Sequence, residues 1–148
     1  MSIVFDEALK TGNELIDTQH QELIARVNKL SDSLESAKEK NVAIQTLDFL
    51  MDYVEFHFSA EEKLQEENQY PELAAHKEQH EKFTKAVDEL REMLEEEEGP
   101  TDAFVAAVNK NVVEWLLNHI QICDKKVAAF LLPAIPSKFS RSAGFSTL

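Results

Sequence analysis

Four stretches of this chain place apolar residues at alternating spacings of three and four, the period of one face of an α-helix. The segments between these stretches are short, and the whole chain contains only 3 Gly and 4 Pro. Such a composition favours long helices joined by tight connections. We therefore predict an all-α fold, an up-down-up-down antiparallel four-helix bundle with an N-terminal arm and a short C-terminal tail.

Capping and helix-breaking residues set the expected boundaries. The predicted helices run from about Asp17 to Lys38, from an Asn41 cap to Glu67, from near Pro71 to the break at Glu98-Gly99-Pro100, and from a Thr101 cap through Ile122 and Phe130 to Pro133. Residues 1 to 14 are expected to form the arm, anchored by Val4 and Phe5. One domain is predicted over residues 1–132, and residues 133–148 are predicted to be the tail.

All five histidines fall on the predicted apolar faces. His57 and Glu61 are four residues apart on the second helix, and His76 and His80 repeat that spacing on the third. Residues at i and i+4 point the same way from a helix. The other two histidines, His20 and His119, belong to the first and fourth helices. A single histidine on such a face is more often a hydrogen-bonded core residue, but five of them with a buried acid favour a metal site.

Asp124 follows His119 by five residues, which is about 140° around an ideal helix. It can reach the same site only if the metals lie between the two directions or if the helix is locally distorted. Five imidazoles with one or two carboxylates exceed the four ligands of a single zinc ion. The set suits two metal ions joined by bridging carboxylates, and imidazole-rich sites favour iron, copper, nickel or zinc. Iron is our choice among these.

Charge and cysteine content exclude other classes of protein. With 28 acidic against 15 basic residues, the net charge of −13 disfavours nucleic acid and anionic membranes as partners. The lone cysteine, Cys123, excludes an internal disulfide, and we expect it to be a small buried hydrophobe. The N-terminus lacks the pattern of a signal peptide, and we expect a cytoplasmic monomer. The sequence names no protein partner for the tail.

The order of these motifs resembles the hemerythrin family and its bacterial single-domain members. The resemblance rests on His20, His57-Phe-Ser-Ala-Glu61, His76-Lys-Glu-Gln-His80 and His119-Ile-Gln-Ile-Cys-Asp124, and it covers about residues 3 to 132. The stretches Ile16-Asp17-Thr18-Gln19-His20 and Trp115-Leu116 are also similar to family motifs. Phe5 departs from the family, whose bacterial members often have Trp there.

The resemblance implies a non-haem diiron centre with carboxylate and oxo or hydroxo bridges. His76, His80 and His119 would bind one iron, His20 and His57 the other, and Glu61 and Asp124 would bridge them. The second iron would keep one open position for O₂. The implied function is therefore reversible O₂ binding, by an oxygen carrier, storage or sensing protein and not an enzyme.

Alternatives remain at this point. The same centre could serve a diiron redox enzyme acting on O₂, peroxide or nitric oxide, or it could be cargo in iron storage or detoxification. The absence of a Glu-x-x-His motif favours O₂ binding over O₂ activation. Candidate residues for an apolar O₂ pocket are Leu116, Trp115, Ile24 and Phe58, for which plain core packing is the simpler interpretation.

Overall fold

Within the part of the chain that the structure describes, four consecutive helices form an antiparallel bundle. The computed structural model describes residues 3–36 and 39–131; the predicted tail, residues 133–148, lies outside the described residues. Three helices are regular: α1 (Glu14–Ser36), α2 (Lys40–Glu67) and α3 (Leu73–Glu96). The fourth, α4, covers residues 102–131. Since the connections are short, each helix folds back along the previous one, and the predicted fold class is confirmed.

The helix α4 is not a uniform α-helix. Two π-helical segments interrupt it, so that its five successive parts are Asp102–Val108, the π-helical Asn109–Glu114, Trp115–His119, the π-helical Ile120–Asp124 and Lys125–Leu131. A π-helical turn contains an extra residue and rotates everything after it relative to an ideal helix. Ile122, predicted to face inward, is 59% exposed for this reason, and Phe130 is also exposed while Val127 is buried.

The N-terminus of α1 lies three residues earlier than predicted. The Asn13 side chain accepts a hydrogen bond from the Ile16 backbone N–H at 3.0 Å, so Asn13 caps the helix. The Asp17 carboxylate accepts hydrogen bonds from the Thr11 backbone and hydroxyl, at 2.8 and 2.7 Å. These contacts fix the turn in which Gly12 has a φ of 94°.

The caps of the second and fourth helices were predicted with different success. Asn41 does not cap α2, because the helix begins one residue before it and the N-cap, Glu39, makes no side-chain capping hydrogen bond. The predicted cap of α4 is confirmed, since the Thr101 hydroxyl accepts from the Phe104 backbone N–H at 3.1 Å.

Of the two predicted anchors of the N-terminal arm, Phe5 packs on the bundle and Val4 does not. Val4 is 71% exposed, whereas Leu9 is buried against Ile24 and Ile120, and Phe5 packs partly on this cluster. Hydrogen bonds at 2.8 and 2.9 Å join both backbone groups of Ile3 to the Asn28 carboxamide. The arm is therefore held by pairing with α1 as well as by apolar contact.

The main hydrophobic core occupies one half of the bundle, beside the layer that holds the histidines. It is built from all four helices, with members such as Leu30, Leu47, Leu50, Leu94 and Phe104. A smaller cluster of Ile16, Tyr70, Val127, Ala128 and Leu131 closes the other end. The polar layer thus lies between two apolar clusters. In the described part of the chain, no helix combines the length and apolarity needed to cross a bilayer.

Candidate metal centre

The seven side chains singled out in the sequence meet in one buried layer of the bundle. None of them is more than 4% exposed. They come from all four helices: His20 from α1, His57 and Glu61 from α2, His76 and His80 from α3, and His119 and Asp124 from α4. The three-four periodicity that turns each helix toward the core also turns these polar groups inward.

The imidazoles of His76, His80 and His119 bring their Nε2 atoms close together. The Nε2 atom of His119 lies 3.0 Å from that of His76 and 3.1 Å from that of His80. Three neutral imidazoles cannot satisfy one another in this arrangement, because each ring has one donor nitrogen and one acceptor nitrogen. Together with Glu61 they form a group whose potential ligand atoms all lie within 4.8 Å of one another. Such convergence of nitrogen lone pairs suits a cation.

A second group lies beside the first. It contains His20, His57, Glu61 and Asp124, and its potential ligand atoms also lie within 4.8 Å of one another. The rings of His20 and His57 meet edge to face, with centroids 4.8 Å apart. Glu61 belongs to both groups, so the two candidate sites are neighbours that share a carboxylate.

Both carboxylates extend across the two groups. Asp124 places Oδ1 3.2 Å from Nε2 of both His76 and His119, and Oδ2 2.8 Å from Nε2 of His20. Glu61 places Oε1 2.9 Å from His76 and 3.3 Å from His80, while Oε2 lies 3.9 Å from His57. Each carboxylate therefore offers one oxygen to each group of histidines.

The position of Asp124 follows from the distortion of α4. The π-helical segment Ile120–Asp124 begins directly after His119. In a π-helical turn, the residue five positions on closes the turn, so Asp124 returns to the face of His119. Of the two routes that the spacing left open for Asp124, the structure contains the local distortion.

Three histidines are oriented by side chains that the sequence analysis did not identify. The Nδ1 atom of His57 is 2.7 Å from Gln19 Oε1, that of His80 is 2.7 Å from Glu62 Oε2, and that of His119 is 3.1 Å from Gln79 Oε1. Such partners fix the ring orientation and leave Nε2 free to act as a ligand. Gln19, Glu62 and Gln79 could have been found from the sequence, because each is adjacent in the chain to a candidate ligand. Each one contacts a histidine of a different helix.

In this buried layer, contacts between the imidazoles and the two carboxylates shift the pKa values of both kinds of group. Burial lowers the pKa of His57 to about 4, which keeps its ring neutral. Burial also acts to lower the pKa of His76, but contacts with Asp124 and Glu61 outweigh it and raise this pKa to about 9. Burial acts to raise the pKa of Asp124, yet the imidazoles of His119, His20 and His76 hold it well below its usual value. Both carboxylates therefore stay ionised.

The residues present fit a pair of metal ions. Among the described residues, both side-chain oxygens of Glu61 and of Asp124 and both ring nitrogens of His20 are buried without a hydrogen-bond partner. Their contacts with one another are short but lack hydrogen-bond geometry. Leaving so many polar atoms unpaired is costly, and cations accepted by the same atoms would remove that cost.

Apolar and aromatic side chains surround the layer. Phe58 stacks on His80 with centroids 3.7 Å apart, and Trp115 stacks on His119 at 4.6 Å. Leu116 and Ile24 are buried, but Ile24 packs in the cluster of Leu9 and Ile120. Of the four candidate pocket residues, Phe58 and Trp115 thus contact histidines of the layer, whereas Leu116 and Ile24 belong to two separate apolar clusters.

Cys123 differs from its prediction as a buried hydrophobe. It is half-buried, and its thiol donates to Gln79 Oε1 at 3.1 Å. Gln79 is also the partner of His119, so the thiol is one step removed from a candidate ligand.

The fold and this layer define the class of the protein: a four-helix bundle with a histidine- and carboxylate-rich metal centre in its core. The model of the Hemerythrin HHE cation binding domain matches residues 11–131. The bacteriohemerythrin of Stenotrophomonas maltophilia is 35% identical over 126 residues, which are 85% of this chain and 79% of that protein. The bacteriohemerythrin of Aquifex aeolicus is 32% identical over 80% of this chain and 89% of its own length.

A solved crystal structure of a leucine-to-phenylalanine mutant superimposes with a TM-score of 0.74 at 28% identity. The match covers 88% of this chain and 98% of that one. The chain belongs to the hemerythrin family. Membership of this family, together with the two buried ligand groups, supports iron binding at a centre of diiron type.

Proposed function

We propose that this protein binds O₂ reversibly at a non-haem diiron centre and acts as an oxygen carrier, storage or sensing protein. His76, His80 and His119 hold one iron, and His20 and His57 hold the other. Glu61 and Asp124 would each offer an oxygen to both irons. When bound, the iron pair would supply the electrons that hold O₂, and the group with two histidines, which has one imidazole fewer, would leave room for it.

The observation that carries this proposal is the span of Asp124. Its Oδ1 lies 3.2 Å from two imidazoles of the three-histidine group, and its Oδ2 lies 2.8 Å from His20 of the other group. A carboxylate with its oxygens divided in this way suits two cations better than one. Glu61, which belongs to both ligand groups, repeats the arrangement from the opposite side of the bundle core.

The asymmetry of the two groups supports the choice of O₂ binding. Three imidazoles contribute to one group and two to the other, while both carboxylates are common to them. The group of His20 and His57 therefore has one protein ligand fewer than the other group, which leaves room there for an external ligand such as O₂. The relatives carry the name bacteriohemerythrin, which agrees with this assignment.

The surrounding side chains keep water and larger molecules away from the site. Phe58, Leu116 and Ile24 are buried, and Trp115 covers His119. We propose that these four residues form the apolar wall of the O₂ site. A small apolar molecule passes such a wall more readily than water or a charged substrate does.

Anaerobic reconstitution with ferrous iron tests the proposal directly. Two irons per chain should bind, and O₂ should produce a visible absorption band that disappears when the gas is removed. Several cycles should restore the ferrous protein. Tight binding of only one iron per chain would rule out the diiron centre.

The same experiment separates the competing functions. Rapid irreversible oxidation with release of peroxide would favour a redox enzyme over an O₂-binding protein. Uptake of iron well beyond two per chain would favour storage. Either result would overturn reversible O₂ binding.

A further inference from the structure

Gln65 is the polar side chain in the bundle core that the proposed centre leaves unexplained. It is 0% exposed, and neither its carboxamide oxygen nor its nitrogen has a hydrogen-bond partner among the described residues. Its backbone is satisfied, since the Gln65 carbonyl accepts from the Tyr70 N–H at 2.9 Å. A buried amide left unpaired destabilises a protein, so its presence requires a reason.

The register of the helices places Gln65 next to the candidate metal layer. It follows Glu61 by one turn on α2, as Ala128 follows Asp124 by one turn on α4. On α1, which runs antiparallel to α2, Ile16 precedes His20 by one turn. Gln65 therefore lies one turn away from the polar layer, level with Ile16 and Ala128 of the smaller apolar cluster.

The smaller apolar cluster offers one polar side-chain group, the Tyr70 hydroxyl, and this hydroxyl makes no hydrogen bond to the Gln65 amide. The other members of that cluster are Ile16, Val127, Ala128 and Leu131, so the remaining polar groups nearby are those of the metal layer. Helical side chains lean toward the N-terminus of their helix, which for Gln65 is the direction of Glu61. The carboxamide is thus directed at a layer whose own polar atoms are also unpaired.

His20 lacks the kind of Nδ1 partner that three of the other four histidines have. His57, His80 and His119 each have a side-chain oxygen within 3.1 Å of Nδ1, from Gln19, Glu62 and Gln79. No residue in the described part of the chain hydrogen-bonds to the Nδ1 atom of His20. If Nε2 of His20 binds iron, as the proposed function requires, Nδ1 carries the proton and must donate it.

We propose that Gln65 is a positioning residue for His20, and that one ordered water joins them. The Nδ1–H of His20 donates to the water, and the water donates to the Gln65 carboxamide oxygen. The two side chains lack a direct hydrogen bond, and a buried water with two to four polar partners is the usual way to fill such a gap. This inference rests on the proposed function, because the protonation of Nδ1 follows from metal binding at Nε2.

The variant Gln65→Met tests this assignment, because methionine replaces the carboxamide by an apolar side chain of similar length. Stepwise binding of Fe²⁺ would be followed anaerobically by calorimetry, together with the thermal midpoint of the metal-free protein. One of the two binding steps should weaken about tenfold or more, while the other stays as in the wild type. The metal-free variant should melt at a higher temperature, since an unpaired buried amide has been removed.

Gln45→Met provides a matched control, because Gln45 lies on the same helix and is exposed. Neither its iron affinity nor its melting temperature should change appreciably. A crystal structure of the iron-loaded wild type adds a measurement that does not depend on the folding of a variant. It should contain a water within hydrogen-bond distance of both His20 Nδ1 and the Gln65 carboxamide.

The possible failures are distinguishable. If the wild type binds two irons and Gln65→Met binds both with unchanged affinity, the role of Gln65 is refuted while the diiron centre stands. An iron-loaded structure without that water would have the same consequence. If the wild type binds only one iron, the proposed function itself fails.

Discussion

His119 and Asp124 are five residues apart on α4, yet Nε2 of the histidine lies 3.2 Å from Oδ1 of the aspartate. The π-helical segment Ile120–Asp124 brings them together by adding one residue to the turn. The complete set of seven candidate ligands therefore depends on a distortion of a single helical turn.

Deletion of Ile122 should convert the π-helical turn into an ordinary α-helical turn. The aspartate would then follow His119 by four residues and would stay on the same face of the helix. We therefore expect the deletion variant to bind two irons with its helical circular dichroism unchanged. Ile122→Ala, which keeps the extra residue and changes an exposed side chain, is the control. Loss of two-iron binding in a deletion variant that keeps its helical content would mean that the aspartate needs the π-helical turn itself.

Glu62→Gln should weaken iron binding without removing a ligand. The Glu62 carboxylate contacts Nδ1 of His80 at 2.7 Å and so makes that imidazole a better electron donor. We expect about a tenfold loss of iron affinity and a more positive reduction potential of the centre. Equilibrium dialysis and potentiometry would measure the two effects. Glu66→Gln, an exposed substitution on the same helix, should change neither value; equal effects of both substitutions would point to net charge alone.

His57→Ala and Glu61→Ala should each abolish the absorption spectrum of a diiron centre. His57 provides one of two imidazoles in its group, and Glu61 is shared by both groups. The bundle should survive, because its main apolar core lies in the other half of the helices. Iron analysis and circular dichroism would check both statements, with Glu55→Ala as an exposed control on α2. Two irons and an unchanged O₂ band in Glu61→Ala would contradict the bridging role.

Iron binding to the metal-free protein should tighten as the pH rises. The pKa of His76 is raised to about 9, so this imidazole carries a proton at neutral pH in the metal-free protein. A metal ligand must be neutral, and binding therefore releases that proton. The affinity should increase roughly tenfold per pH unit between about pH 7 and 8.5 and level off above pH 9. Anaerobic calorimetry in buffers of different ionisation enthalpy counts the protons released, and a pH-independent affinity would refute the shift.

The apolar periodicity predicted four helices in the correct order, and the Thr101 cap of α4 is confirmed by its hydrogen bond to Phe104. The ligand motifs identified the family, because His57 with Glu61 and His76 with His80 have the spacing of one helical turn. A period of 3.6 residues is a local property of the chain, and it determines which side chains share a face. The assignment of these residues to iron stays a prediction until the metal content is measured.

Only the tertiary structure decided the features that depend on contacts between helices. Residue spacing alone left Asp124 open and placed Ile122 wrongly, since the helical period by itself does not predict a π-helical turn. It also missed Gln19, Glu62 and Gln79, because each supports a histidine on a different helix. The predicted start of α1 near Asp17 is also three residues late, because the Asn13 side chain caps the helix at Ile16 N–H. Local spacing thus determined which residues face the core, whereas packing determined which of them meet.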